Sequence, residues 1–425
     1  MSKFLLTSSA LFFLSLLGQV QAQEDWGDDW GDDWEQSEET PWRINGFVEL
    51  GQGQFLQNNS VASDSSLSEV RARINFDYDA DIVELSAKGD LSYDNVLHKD
   101  VWQTRELYLS SRLGSIDVRA GRQVLTWGTG DYIFLNDLFA KDWQSFFSGR
   151  DDEYLKAPSD SLRITTYLDK ITVDLAWTPE FQPDNYINGE RFSFYSPQIG
   201  ENIAPAEDFN VDTNNDDQWS VRLATNVSGT EYALYGYKGR WPTPVGNQNN
   251  GTAFFPKLNA LGASARSPLA GGILNAEVSY YDSREDRDGD KANIPNSQTR
   301  VLLGYEREAA RNFTVGGQYY LEKMHDYAAY RRSYPSSESR ADEYRHLLTL
   351  RLTLMTRQQR LNYSLFTFFS PSDEDAYFKP TITYRHSDAI LVAGGANIFT
   401  GNHPHTFFGQ HEDNSNVWLR FRYSY

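Results

Sequence analysis

The residues of this chain that could do chemistry are charged and aromatic side chains in repeating patterns. Arg71, Arg73, Arg119, Arg163, Arg351, Arg420 and Arg422 fall on the polar parity of alternating segments, as do the acids Glu84 and Glu106. Fixed charges of both signs on one face of a sheet can form an ion-pair lattice, or opposed rings that orient a charged permeant. The second concentration is the stretch 128–160, just after Trp127. There Phe134, Leu135, Leu138, Phe139, Trp143, Phe146 and Phe147 are interspersed with Asp131, Asn136, Asp137, Lys141 and Asp142. A connection so long and apolar should fold onto something. Entry into the lumen of a closed sheet, as a constriction or binding loop, is the expected arrangement; packing among other outer loops is the alternative. Arg122 sits on the apolar parity of its segment. A bulge at Gly121–Arg122 is therefore expected, aiming Arg122 or Gln123 at that loop.

Other groupings carry less. Asp286-Arg287-Asp288-Gly289-Asp290 with Asn293 offers alternating oxygens, but its glycine comes too early for a calcium loop and the closing glutamate is missing. His403, His405 and His411 cluster with Glu412, yet nothing in the sequence names a group to orient the imidazoles. No metal site and no cofactor is expected. There is no G-x-S-x-G elbow, and His98, His325, His346 and His386 are scattered, so the chain is not read as an enzyme. Cysteine is absent, which removes disulfides and thiolate metal sites. A net charge of −20, from 39 basic and 59 acidic residues, argues against nucleic acid as a partner.

Residues 1–22 read as a signal peptide: Lys3, an apolar run from Phe4 to Leu17, and a small-residue site ending at Ala22. Residues 23–41 form an acidic tail in which WGDD occurs twice and Trp26, Trp30 and Trp34 recur at every fourth position. It is either a solvated periplasmic spacer or a segment that orders when the three indoles dock on a partner.

The remainder, 42–425, must supply the elements that position these groups. Val70-Arg71-Ala72-Arg73-Ile74-Asn75-Phe76-Asp77-Tyr78 alternates apolar and polar, and so does the end of the chain, Asn416 to Tyr425. Alternation of this kind means strands with one wet and one apolar face. About eighteen such segments can be counted, with sixteen as the alternative, joined alternately by short turns and long loops. The spacing predicts an all-β, transmembrane, antiparallel outer-membrane barrel of a Gram-negative bacterium, whose closure leaves no unpaired edge in lipid. The chain is read as a channel or transport protein.

The terminal aromatic Tyr425 resembles the signal read by the barrel assembly machinery. Arg105-Glu106-Leu107-Tyr108-Leu109, followed by Val118 to Gly128, is similar to a stretch in an uncharacterised porin-like family grouped with alginate-export-type barrels. Members of that family are found beside inner-membrane exporters of the resistance-nodulation-division (RND) type and a periplasmic carrier. The resemblance implies passage or export of a hydrophobic or lipid-like molecule with such periplasmic partners, in contact with outer-membrane lipid. A general or selective diffusion porin for small polar solutes is the alternative, with an outer-membrane enzyme or adhesin as remaining classes.

Overall fold

The computed structural model describes residues 40–61, 63–196, 199–204, 210–213, 215–248, 251–334 and 339–425. Residues 1–39, which hold the segment read as a signal peptide and Trp26, Trp30 and Trp34 of the tail, lie outside the described residues.

Pro41 to Tyr425 forms a closed antiparallel barrel of eighteen strands. The first nine are β1 (Trp42–Phe55), β2 (Leu67–Ala80), β3 (Val83–Asp94), β4 (Lys99–Leu113), β5 (Ile116–Val124), β6 (Pro158–Leu168), β7 (Ile171–Thr178), β8 (Gln218–Val227) and β9 (Thr230–Arg240). The rest are β10 (Lys257–Leu269), β11 (Gly272–Ser283), β12 (Gln298–Ala310), β13 (Phe313–Met324), β14 (Tyr344–Thr356), β15 (Leu361–Ser370), β16 (Asp375–Arg385), β17 (Ile390–Gly401) and β18 (Asn416–Ser424). Each strand pairs with its chain neighbours, and β1 closes the ring on β18, with Leu50 opposite Phe421. The eighteen strands fall where the alternation places them. The fifth, however, ends at Val124 and the sixth starts at Pro158, so their connection runs over 125–157.

One rim carries tight turns. Ser228 and Gly229, and Ala270 and Gly271, both take positive φ, the backbone that matches the twist of flanking strands. The other rim carries the long loops, although 95–98 and 371–374 are short there too. Outside, Ile44, Leu50, Val70, Ile74, Leu107, Leu234, Leu261 and Leu419 form an exposed apolar wall. Aromatic side chains bound it at both ends: Trp42 opposite Tyr78 at the turn rim, Trp177 opposite Trp219 at the loop rim. An apolar band between two aromatic girdles is the outer face of an outer-membrane barrel. Over the closing seam, the Tyr425 hydroxyl donates to the Arg73 carbonyl at 3.1 Å, and its ring crosses Gly46, where a Cβ would lie 2.7 Å from the hydroxyl oxygen.

The bulge expected at Gly121–Arg122 is absent. Gly121 and Arg122 pair in regular register with Tyr108 and Leu107 on one side and with Ser161 and Asp160 on the other. Arg122 therefore shares the outward face of Leu107, which is exposed. It is satisfied near the loop rim by Asp160 at 3.0 Å and by the Thr104 carbonyl at 2.7 Å. A long side chain close to a membrane boundary can carry its charge outward in this way. The bulge is instead in β4, where Lys88 opposes Glu106 and Gly89 opposes Thr104, leaving Arg105 as the extra residue.

Candidate functional site: a loop anchored across the lumen

The connection 125–157 turns into the barrel. Its centre is a short helix, α1 (Trp143–Ser148), started by Asp142, whose carboxylate accepts from Ser145 N at 2.8 Å. The helix stops at Gly149, at φ 86°, and an added Cβ there would sit 2.2 Å from the Trp418 ring. Both the left-handed backbone and the contact demand glycine. Ile133, Leu135, Phe146 and Phe147 bury against the inward faces of Phe366, Phe368, Tyr377 and Phe399. A core thus forms inside the lumen, with each buried phenylalanine contributing about 1.5–3 kcal/mol.

Polar anchors fix the loop around the circumference. On β11, the Glu277 carboxylate accepts from Thr129 N, from Thr129 Oγ1 at 2.8 Å, from Gly130 N at 2.9 Å and from Asn136 Nδ2 at 2.7 Å. Tyr281 donates to the Leu135 carbonyl at 2.7 Å. On β13 and β14, Gln318 accepts from Asp131 N at 2.9 Å, and Arg351 pairs with the Asp131 carboxylate. On β17 and β18, Asn397 and Asn416 donate to the Phe147 carbonyl at 2.8 and 3.0 Å.

After α1, the run Asp151-Asp152-Glu153-Tyr154 enters a basic socket. Asp151 lies 3.2 Å from Arg420 and 3.3 Å from Arg422, which share Glu49. Asp152 pairs with Lys379, and Glu153 with Arg73. Tyr154 donates to Asp90 at 2.8 Å, and its ring is faced by Arg71, Arg73 and Arg105 at 4.6, 5.0 and 4.7 Å. Burial opposes ionisation of Asp151, but the two guanidinium groups outweigh it and hold its carboxyl below the usual range. Lys379 does the same for Asp152.

The other residues expected in the loop are mostly scaffold. Buried Lys141 pairs with Asp137 at 2.9 Å and lies 4.6 Å from the Phe134 ring, while Asp137 also accepts from Thr126 at 2.8 Å. Trp143 Nε1 donates to Asp184 at 2.8 Å, tying the loop to the β7–β8 connection, and burial pushes the Asp184 carboxyl up to about 7. Trp127 donates to Asp174 at 3.3 Å and packs on Phe139. Gln123 is fully buried and donates to the Ser161 carbonyl at 3.1 Å.

Several of the arginines on the polar parity sit in ion pairs. Arg71 and Arg73 bind Asp90, Arg163 binds Asp174, and Lys88 reaches Glu106 at 2.8 Å. Glu84 accepts from Ser110 at 3.1 Å. Arg119 lies over the Tyr108 ring at 4.4 Å, with no ion pair among the described residues. The sequence reading missed the socket acids, Tyr154 and Lys379. The available signal was a DDEY run directly after an apolar helix. Toward the turn rim on the β10–β14 side, the lumen keeps a cavity of about 380 Å³. Asp131, Arg266, Asn275, Glu306, Gln318 and Arg351 line it.

His411 does not join His403 and His405. It is buried between Phe147 and Phe399, with ring centroids 5.2 and 5.6 Å away, and burial pushes its imidazole down to about 4. A base with a depressed pKa stabilises the folded loop above its ordinary value, and that contribution is lost as pH falls. Acidification from 6.5 towards 4 should therefore loosen the β17–β18 loop over Phe147, by at most about 3.5 kcal/mol at about 1.4 per unit. Hydrogen exchange of residues 402–415 across that window checks this. A His411→Phe variant should lose the pH response, and an unchanged response in that variant would refute it.

No family model matches the chain, and no curated protein matches it. Among solved structures, the barrel is similar to Acinetobacter baumannii OccAB4, with a TM-score of 0.56 and 10% identity over 91% of this chain and 99% of that one. It is also similar to Acinetobacter baumannii OccAB3, with a TM-score of 0.54 and 8% identity over 90% and 99% of the two chains. Pseudomonas aeruginosa OccD3 gives 0.53 and 10%, over 90% of each chain. At these identities the likeness is one of fold. The shared architecture is a closed antiparallel β-barrel.

Proposed function

We propose that the protein is an outer-membrane channel for small polar or charged solutes, narrowed by the loop 125–157. The observation that carries this reading is the anchoring of one loop to opposite walls, at Glu277 and at Arg420, beside a lumen cavity lined by polar side chains. A lipid-like cargo, implied by the family resemblance, would want a continuous apolar path. The apolar inner wall at Phe366, Tyr377 and Phe399 is instead covered by the loop's own Phe146 and Phe147. The geometry therefore favours a polar permeant. Liposome swelling with neutral sugars of graded size, and with small anions and cations, tests it. Small charged and polar solutes should enter, with a sharp size limit. Intact, correctly assembled protein that passes none of them would refute the channel reading.

A further inference from the structure

The socket around Asp151–Tyr154 contains a cation, Arg105, to which no carboxylate among the described residues is hydrogen-bonded. Arg105 is the extra residue of the β4 bulge. Regular alternation would send either Arg105 or Glu106 to the lipid face, and the bulge turns both inward. Arg105 is 3% exposed, yet it meets only two carbonyls, Glu153 O at 3.1 Å and Lys156 O at 2.9 Å, and the face of Tyr154. Its Nη1 is buried without a partner, and so is Nε of Arg420. A guanidinium buried with no carboxylate hydrogen-bonded to it and one N–H group unsatisfied is costly and needs a reason. Around it, the wall cations Arg71, Arg73, Lys379, Arg420 and Arg422 exceed the wall carboxylates Glu49, Glu69 and Asp90. The balance comes from three consecutive acids on one turn: Asp151 on Arg420 and Arg422, Asp152 on Lys379 and Glu153 on Arg73.

We infer that this socket is a binding site for a small polyanionic solute with adjacent carboxylates or phosphates, and that the Asp151-Asp152-Glu153 turn occupies it as a built-in competitor. The inference rests on the channel reading and names its substrate class. A solute of this kind supplies acceptors to Arg105 Nη1 and Arg420 Nε, which the turn leaves open. Bonds to ionised acceptors are roughly twice as strong as neutral ones, so the exchange can be favourable. Displacement of the turn would free the narrowed lumen, coupling solute recognition to passage.

Full-length mature protein in planar bilayers, with citrate as the probe and glucose as the neutral control, tests this. Citrate should raise open-state occupancy saturably, and glucose should not. Arg105→Gln should raise the half-effective citrate concentration about tenfold, equivalent to about 1.4 kcal/mol. Arg105→Lys keeps the buried charge but lacks the planar fork, so it should weaken the response as well. The combined Asp151→Asn, Asp152→Asn, Glu153→Gln variant should be open without citrate. In detergent, citrate should raise its melting temperature more than that of the unmodified protein. A conducting protein that ignores citrate, an equal response to glucose, or unshifted titration in either assembled Arg105 variant overturns the inference. A protein with no conductance in any electrolyte sinks the channel reading instead, and the melting shift then judges the socket on its own.

Discussion

Replacement of residues 129–154 by a short glycine-serine linker is expected to raise single-channel conductance several-fold while the barrel still assembles. An eighteen-strand barrel encloses an aqueous lumen unless something fills it. Here the filling comes from one connection, held at Glu277 on one wall and at Lys379, Arg420 and Arg422 on another. The strand ladders, including the closing pairs from Phe47–Ser424 to Phe55–Asn416, do not run through that segment. Heat-modifiable electrophoresis reports assembly, and bilayer recording reports the pore. A well-assembled deletion with the original conductance would show that solute flow does not pass the loop.

The second large effect is expected at Glu277. Its carboxylate alone receives Thr129 N, Thr129 Oγ1, Gly130 N and Asn136 Nδ2. In Glu277→Leu these donors keep their positions and lose their acceptor, at about 1–3 kcal/mol for each group left buried and unsatisfied. The β11 end of the loop should then detach, and recordings should show frequent brief openings at constant barrel stability. Glu277→Gln, which keeps the shape and one carbonyl oxygen, should fall between the two. Quiet recordings from Glu277→Leu would mean that the aromatic core around Phe146 and Phe147 holds the loop unaided.

The sequence by itself determined the wall. Period-two alternation such as Val70 to Tyr78 is a local property, because successive side chains of a strand point to opposite faces. It therefore located all eighteen strands, the exposed apolar exterior and the inward parity of Arg71, Arg73, Arg163, Arg351, Arg420 and Arg422. Composition alone also marked 128–160 as a loop that must bury its phenylalanines. Only the tertiary structure decided the partners. Asp151 and Arg420 are 269 positions apart, and they meet because the ring closes at one register and α1 ends at Gly149 against Trp418. Parity likewise misplaced the bulge: Arg122 broke the alternation, but Asp160 and the Thr104 carbonyl satisfied it in place. The bulge lay in β4, where two adjacent charges, Arg105 and Glu106, occupy opposite parities, and only the register against β3 placed it there. Local spacing sets which way a side chain faces, whereas cross-lumen pairing depends on closure and on the path of the enclosed loop.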